Sequence, residues 1–278
     1  MKHHDLESVE GGGSDALKVV NVLRLRHGVI EGSQDVVAVE VPVALEYNGI
    51  SYAVMLASPS DLEDFAMGFS LSEGIIAESS EMYECEAEAS PEGWQVHMRI
   101  AAERFVALKE RRRNLAGRTG CGLCGTESLA QVTRCVVPVA HRHRFDGTRL
   151  LDGMLAMQAL QPMQQHTGAT HAAAWMNASG EIDLVREDVG RHNALDKLVG
   201  AMAVAGKDFM TGALLITSRA SYEMVQKAAV MNIGLIAAIS APTSFAVQMA
   251  KSTGVTLAGF TRDQSYVVYA HPERLHKL

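Results

Sequence analysis

Two cysteines, Cys121 and Cys124, stand three positions apart among the glycines of RTGCGLCGTES (Arg118–Ser128), directly after the basic run KERRRNLAGR (Lys109–Arg118). The whole chain of 278 residues has four cysteines. A Cys-x-x-Cys pair can serve metal ligation, dithiol redox or the carriage of an atom on sulfur. Structural zinc asks for four ligands in tetrahedral geometry, commonly two such pairs or a pair with two histidines. Here there is one pair, and the nearby His141 and His143 alternate with Arg142 and Arg144, whose charges oppose a dication. The Pro-Cys-x-x-Cys of zinc deaminases is not met either, because Gly120 precedes Cys121. A thioredoxin-like redox pair sits early in its domain at a strand-to-helix junction, usually with an aromatic residue or proline beside it. A basic run and loop glycines occupy those places instead.

Sulfur carriage fits the remaining facts. A thiolate attacks an activated sulfur donor, holds the sulfur as a persulfide, and releases it while a neighbouring thiol assists by disulfide exchange. At a pKa of about 8.5 roughly 3% of a thiol is ionised at pH 7, and at about 7 roughly half. Arg118, the arginines at 111–113 and the N–H groups of a Gly-rich turn could supply that shift. A tight turn with incidental cysteines is the alternative. Cys85 and Cys135 sit among polar or apolar residues without a second cysteine nearby and read as structural thiols.

The net charge of -7 argues against general nucleic-acid binding, which needs an excess of Lys and Arg. Two basic runs nevertheless flank the cysteine pair, Lys109–Arg118 and His141–Arg144, and mark either an anion-attracting neighbourhood or solvated helix ends. The opening MKHHDLESVEGGGSDALK has acids and a Gly cluster where a secretory signal needs an apolar core, and no later segment is apolar over about 18 residues. A soluble cytoplasmic protein, without membrane or nucleic-acid partners, is the expectation.

The elements that must position these residues fall into two unequal parts. DVVAVEVPVALEYNGISYAVMLA alternates at period two and turns at Asn48-Gly49, which predicts two antiparallel strands. SPSDLEDFAMGFSLSEGII opens with Ser60 and Glu63 in capping-box spacing, aligns Leu62, Phe65, Ala66 and Phe69, and stops at Gly74: a short helix packed on that hairpin. WQVHMRI reads as a strand and AERFVALKERRR as a helix or an extended arm. From about Leu150 strand and helix alternate: helix LLDGMLAMQAL, a strand pair turning at Ser179-Gly180, helix RHNALDKLVGAMAVAG, strand ALLITS, helix SYEMVQKAAVMNIG, strand LIAAIS, helix PTSFAVQMAKSTG, strands VTLAGF and YVVYA. ALLITS and LIAAIS are apolar on both faces, so the expectation is an α/β sandwich around a buried mixed sheet. Met154, Met157, Met224 and Met231 are read as core filler. The expected division is a flexible leader (1–18), a smaller N-terminal α+β part (19–118), a Gly/Cys loop with a basic linker (119–149) and an α/β domain (150–278).

GCGLCGTESL resembles the signature of the formate dehydrogenase accessory sulfurtransferases, the FdhD family. The likeness continues through EVPVALEYNG, FAMGFSLSEGII, TGATHAAA, EDVGRHNALDKLVG, SRASYEMVQKA, APTSFAV and TLAGFTR. The resemblance implies a cytidine-deaminase-like α/β fold without deaminase chemistry, usually in a homodimer. It implies that sulfur arrives from a cysteine desulfurase, is held as a persulfide on Cys121 with Cys124 assisting, and passes to the molybdenum bis-molybdopterin guanine dinucleotide cofactor. That cofactor is bound as a substrate and is destined for formate dehydrogenase; no resident metal is implied. The resemblance puts the guanine dinucleotide in the loop of Phe260, Thr261, Arg262, Asp263, Gln264 and Ser265, with GDP as a binding fragment. In that loop Arg262 can meet a phosphate, Asp263 a guanine edge, and Gln264 and Ser265 other polar parts. A plain hairpin turn explains Asp263 and Gln264 equally well.

Two further stretches join the candidate site. REDVGRHNALDK ends a strand and opens a helix, so its N–H groups and Arg191 form a plausible anion site, with His192 and Asn193 able to hydrogen-bond a base or ribose. Capping by Asp188, with an ion pair from Glu187 or Asp188 to Arg191, accounts for the same residues. His171 in TGATHAAA is either a site residue or a satisfied core histidine. Three functions remain in view: a sulfurtransferase, a cofactor-binding chaperone whose thiols only steady a loop, and a zinc-dependent deaminase-like hydrolase.

Overall fold

Alternation at period two builds β3 (Val41–Tyr47) and β4 (Ile50–Ala57), and the turn falls at Asn48 and Gly49, with φ 48° and 78°. Two positive φ angles in a two-residue loop match the twist of the flanking strands. This and everything below is seen in a computed structural model that describes residues 16–115, 137–140 and 144–277, with residues 111–115 described through their backbone alone. Val43, Leu45 and Tyr47 are fully buried on one face of β3. The Asn48 side chain both accepts from Ile100 N (2.8 Å) and donates to Ile100 O (3.2 Å), pinning the turn to a neighbouring strand.

That neighbour is β6 (Gly93–Ile100), which runs parallel to β3 and antiparallel to β5 (Met82–Ser90), giving a sheet of order β4-β3-β6-β5. A strand at β5 was not anticipated. Glu84, Glu86 and Glu88 take its solvent side, so MYECEAEAS reads as a polar loop until its partner is known. The N-terminal ribbon of β1 (Leu17–Arg26) and β2 (Val29–Ala38) was also missed; β1 begins ahead of Val19, within the span expected to be leader. Residues 1–15 lie outside the described residues.

Helix α1 (Leu62–Ser72) forms as expected, but its capping box does not. Asp61 precedes it at φ 51° with no side-chain cap, and the Glu63 carboxylate accepts instead from Ala87 N on β5 (3.2 Å). Leu62, Phe65, Ala66 and Phe69 are all buried. The helix packs chiefly on α5 (Arg191–Val204) rather than on the β3–β4 hairpin. The two helices meet backbone to backbone, since a Cβ at Gly68 would overlap the Asp196 carbonyl and one at Gly200 the Asp64 carbonyl. α2 (Ala102–Leu115) is a helix, not an arm.

The second half follows the predicted alternation: α3 (Thr148–Ala159), α4 (Pro162–Thr167), β8 (His171–Met176), β9 (Ile182–Asp188), α5, β10 (Ala213–Ile216), α6 (Tyr222–Val230), β11 (Leu235–Ala238), α7 (Ser244–Thr253), β12 (Thr256–Arg262) and β13 (Ser265–Ala270). α4 was not foreseen. The six strands order as β13-β12-β11-β10-β8-β9, with β10, β11 and β12 parallel and the others antiparallel to their neighbours. This is the mixed α/β sheet the sequence predicts. β7 (Phe145–Asp146) pairs in parallel with β14 (Leu275–His276) beside it.

Each central strand is buried on both sides. Leu214 and Ile216 join a core that runs through α5, α6 and α7 into α1 and the four-stranded sheet, while Leu215 and Ala237 face α3 with Phe145, Leu150, Met154 and Met157. Met224 is buried and Met231 packs against the same core. Among the described residues no helix is long and apolar enough to cross a membrane.

Candidate functional site

Parallel strands joined by crossovers bring their carboxyl ends, and the amino ends of the helices that follow, to one edge of the sheet. Here that edge holds the residues after β10, β11 and β12 and the openings of α6 and α7. Because β8 runs the other way, its first residue, His171, lies at the same edge opposite Asp188, the last of β9, and α5 opens beside them. Sequence-predicted residues from three separate stretches therefore share one edge.

Asp188 organises the first group. It is fully buried; Oδ1 accepts from Gly190 N (2.7 Å) and Asn193 Nδ2 (2.9 Å), and Oδ2 accepts from Ser58 N (2.9 Å) and lies 2.7 Å from Lys197 Nζ. Lys197, also fully buried, donates in addition to Ser58 O (3.0 Å). The expected pairing of Asp188 with Arg191 is thus replaced by Lys197, which lies deeper along the helix and on the same side as Asn193. Glu187 is not Arg191's partner either. Its carboxylate takes Met163 N (2.9 Å), Gln164 N (2.8 Å) and Thr170 Oγ1 (3.1 Å), closing the amino end of α4. Asn193 is 4% exposed and its amide donates to Leu56 O (2.8 Å) as well as to Asp188. Its amide hydrogens are turned into the protein, so the predicted contact of that amide with a base or ribose is not available.

Arg191, His192 and His171 do come together. Burial first, then the Arg191 charge and His192, push the His171 imidazole below its ordinary pKa against the pull of Asp188. His192 Nε2 lies 2.8 Å from Glu223 Oε2, a close contact whose angle falls short of a hydrogen bond. The facing His192 ring, with Arg191 behind it, holds the Glu223 carboxyl below the usual range. Glu223 and its neighbour Ser221 were missed by sequence reading. The available signal was a Ser followed by an acid just inside a predicted helix start.

The loop Phe260–Ser265 sits at the same edge, three strand spacings from β8, about 14 Å. Asp263 and Gln264, at φ 51° and 58°, form the hairpin turn between β12 and β13, so the turn reading of these two residues holds. Phe260 is also left-handed (φ 52°), next to a register shift between Gly259 and Arg262. Three non-glycine residues with positive φ in five positions are strained backbone of the kind that gathers at binding loops. Thr261 is fully buried with an unpartnered hydroxyl, while Arg262 is exposed, its guanidinium 5.8 Å from the Phe260 ring centre and 3.6 Å from Asp263. Gln264 and Ser265 are exposed.

Cys121 and Cys124 lie outside the described residues, as do Cys135 and the histidines at 141 and 143. Cys85 is described on β5, where burial and nearby acids push its thiol up to about 12, as befits an unreactive structural thiol. The expectation that the His-x-Glu of zinc deaminases occurs nowhere in the sequence is wrong: His271-Pro272-Glu273 is one, and it closes on itself with Nδ1 2.9 Å from Oε1.

The arrangement can bind anions. Arg191, the amino ends of three helices and the exposed Arg219 and Arg262 gather at one edge where Glu223 and Asp263 are the nearby acids not committed to buried partners.

Comparison with known proteins gives this edge a context. The model of the FdhD/NarQ family matches residues 38–276. The sulfur carrier protein FdhD of Cupriavidus necator is 58% identical over 254 residues, 91% of this chain and 88% of the relative. That of Variovorax paradoxus is 54% identical over 88% of each chain, and that of Bordetella petrii is 53% identical over 91% of this chain and 92% of its own. A crystal structure described as that of a formate dehydrogenase accessory protein from Desulfotalea psychrophila superposes with a TM-score of 0.73, covering 94% of this chain and all of that one, at 23% identity, a likeness of fold.

Proposed function

This chain belongs to the FdhD/NarQ family, and from that premise we propose that it is a sulfur carrier that supplies the molybdenum cofactor of formate dehydrogenase. The Cys121 thiolate attacks the outer sulfur of a cysteine desulfurase persulfide. The desulfurase cysteine leaves as thiolate, and Cys121 becomes a persulfide. For discharge, Cys124 attacks the inner sulfur, a Cys121–Cys124 disulfide forms, and the terminal sulfur departs as sulfide toward the molybdenum of the bound bis-molybdopterin guanine dinucleotide. A thiol reductant then returns two electrons to the disulfide.

The observation that supports this reading is the meeting of His171, Arg191 and the opening helices at one strand-end edge, with the strained Phe260–Ser265 loop along it. A guanine nucleotide laid along that edge would meet cations at both ends. Geometry also allows delivery. The chain returns from the cysteine segment at residues 137–140, where Val139 N donates to Thr253 O and Ala140 N to Asn232 Oδ1, on the opposite edge of the sheet. Twelve residues lie between Cys124 and Val137, up to about 45 Å of chain. The central strands of four to seven residues span only about 13–24 Å.

Incubation with a cysteine desulfurase and cysteine, followed by mass spectrometry, tests the proposal. Wild type should gain about 32 Da, one sulfur atom, Cys121→Ala should not, and the same variant should fail to activate formate dehydrogenase while staying folded. Full activation by the Cys121→Ala, Cys124→Ala double variant would end the sulfur-carrier reading. GDP should bind without Mg²⁺, because no Gly-Lys-Ser/Thr phosphate loop is present; equal binding of ADP would remove guanine recognition.

A further inference from the structure

Helices α5 and α6 open toward each other at the strand-end edge. Their first turns are joined by the His192–Glu223 contact, and the Arg191 charge reaches both Glu223 and His171. Each opening carries roughly half a positive elementary charge, to which Arg191 adds a full one. Among the described residues Glu223 alone answers them, since Asp188 is matched by Lys197 and Glu187 by the amino end of α4.

Three polar atoms at this junction are buried without a hydrogen-bond partner, Ser221 Oγ, Arg191 Nε and His192 Nε2, of which the last is in close contact with Glu223. Ser221 is 8% exposed and holds the capping position of α6 in extended backbone (φ −87°, ψ 167°), the residue type and conformation that ordinarily cap a helix. Its side chain makes no such bond. The first intrahelical bond runs from Val225 N to Ser221 O, so the preceding first-turn N–H groups lie outside the helix's own ladder. A buried hydroxyl and a buried guanidinium N–H left unmatched are costly. They stand at two helix openings that the His192–Glu223 contact joins, where one acceptor would serve both.

We propose that the facing ends of α5 and α6, with Arg191 and Ser221, form a phosphate subsite that takes the diphosphate of a nucleotide. It rests on the proposed function only for the identity of that nucleotide. The Arg191 fork can hold two phosphate oxygens, and Ser221 Oγ with the α6 opening a third. Entry needs a rotamer change at these covered side chains. Glu223, a like charge beside the ligand, limits affinity.

Calorimetric titration of GDP and of inorganic pyrophosphate, without Mg²⁺, into wild type, Arg191→Gln, Ser221→Ala and Glu223→Gln tests this. Arg191→Gln should weaken both ligands about ten- to a hundred-fold and Ser221→Ala about three- to ten-fold, whereas Glu223→Gln should tighten both several-fold. Saturating pyrophosphate should also raise the His171 titration midpoint followed by NMR, because the anion offsets the Arg191 charge. If wild type binds GDP and all three variants stay within two-fold of it, the subsite is wrong and the nucleotide reading stands. If pyrophosphate binds as predicted and GDP gains nothing over it, the subsite stands and the nucleotide reading falls. Absence of any pyrophosphate effect on His171 would overturn the subsite. Should Arg191→Gln fail to fold, Ser221→Ala and Glu223→Gln carry the same outcomes.

Discussion

Helix α5 carries two polar clusters that differ in one respect, whether their buried atoms have partners. Along its middle, Asp196 accepts from Ser72 Oγ (2.7 Å) and Lys227 Nζ (2.9 Å), and Lys227 also lies 3.2 Å from Glu73. Burial pushes the Asp196 carboxyl up, and it works against the Lys227 ammonium too, but Asp196 and Glu73 outweigh it and hold that charge on. With donors this close on both sides of the carboxylate, the charged pair is the state the geometry fixes. At the amino end, by contrast, Arg191 Nε is buried and unmatched, as is Ser221 Oγ at the neighbouring opening of α6. A polar group matched within the fold belongs to the fold; one that is buried and unmatched is waiting for something the fold does not contain. The Asp188–Lys197 pair stands between, fully matched itself yet placing Gly190 and the opening of α5.

The harshest way to break this contrast is to open the matched cluster. Ser72 and Glu73 reach Asp196 and Lys227 only because α1 and α5 touch at Gly68 and Gly200. A valine at Gly200 would drive its side chain into the Asp64 carbonyl, part the helices and expose the network. Gly200→Val should give little or no soluble folded protein, judged by soluble yield and circular dichroism. Normal yield with an unchanged melting temperature would show that the junction is slack.

Less drastic is Lys197→Met, which keeps volume but strands the Asp188 charge in a fully buried position. Breaking one side of such a pair is worth about 3–5 kcal/mol, to be read from urea unfolding. Because Asp188 also fixes Gly190, GDP affinity should fall in parallel with stability. A loss under about 1 kcal/mol would remove this pair from the matched class.

Much of the fold was legible in the sequence, and the reasons are local. Period-two alternation with Asn48-Gly49 fixed the β3–β4 hairpin, and doubly apolar ALLITS and LIAAIS placed two central strands. β5 was hidden because its outward glutamates mimic a polar loop, and β1 because an acidic, Gly-rich opening masks the strand that follows. At the candidate site, that His171, Arg191 and His192 would meet was legible because residue type and position at element ends both pointed to one edge. Asn193 misled because its amide faces Leu56 and Asp188, a direction set by β4, far away in the chain. Glu187 and Asp188 misled for a similar reason. Their partners at Met163, Gln164 and Lys197 come from tertiary packing, while Arg191 was merely near in sequence.

The smallest effect is the most discriminating, because here the two clusters demand opposite outcomes from one kind of change. Removing the hydroxyl of a working helix cap costs about 1 kcal/mol, and removing one partner of a buried hydrogen bond about as much. Ser72→Ala, in the matched cluster, should cost at least that, since it takes a donor from Asp196 and a contact from Lys227. Ser221→Ala should cost nothing and can gain up to about 1 kcal/mol, because it removes an unmatched buried hydroxyl and leaves only a small void. Paired urea titrations of the two variants, without nucleotide, measure the difference. A loss of about 1 kcal/mol or more in Ser221→Ala would mean that the hydroxyl caps α6 in solution, and the contrast between matched and unmatched clusters would lose its clearest member.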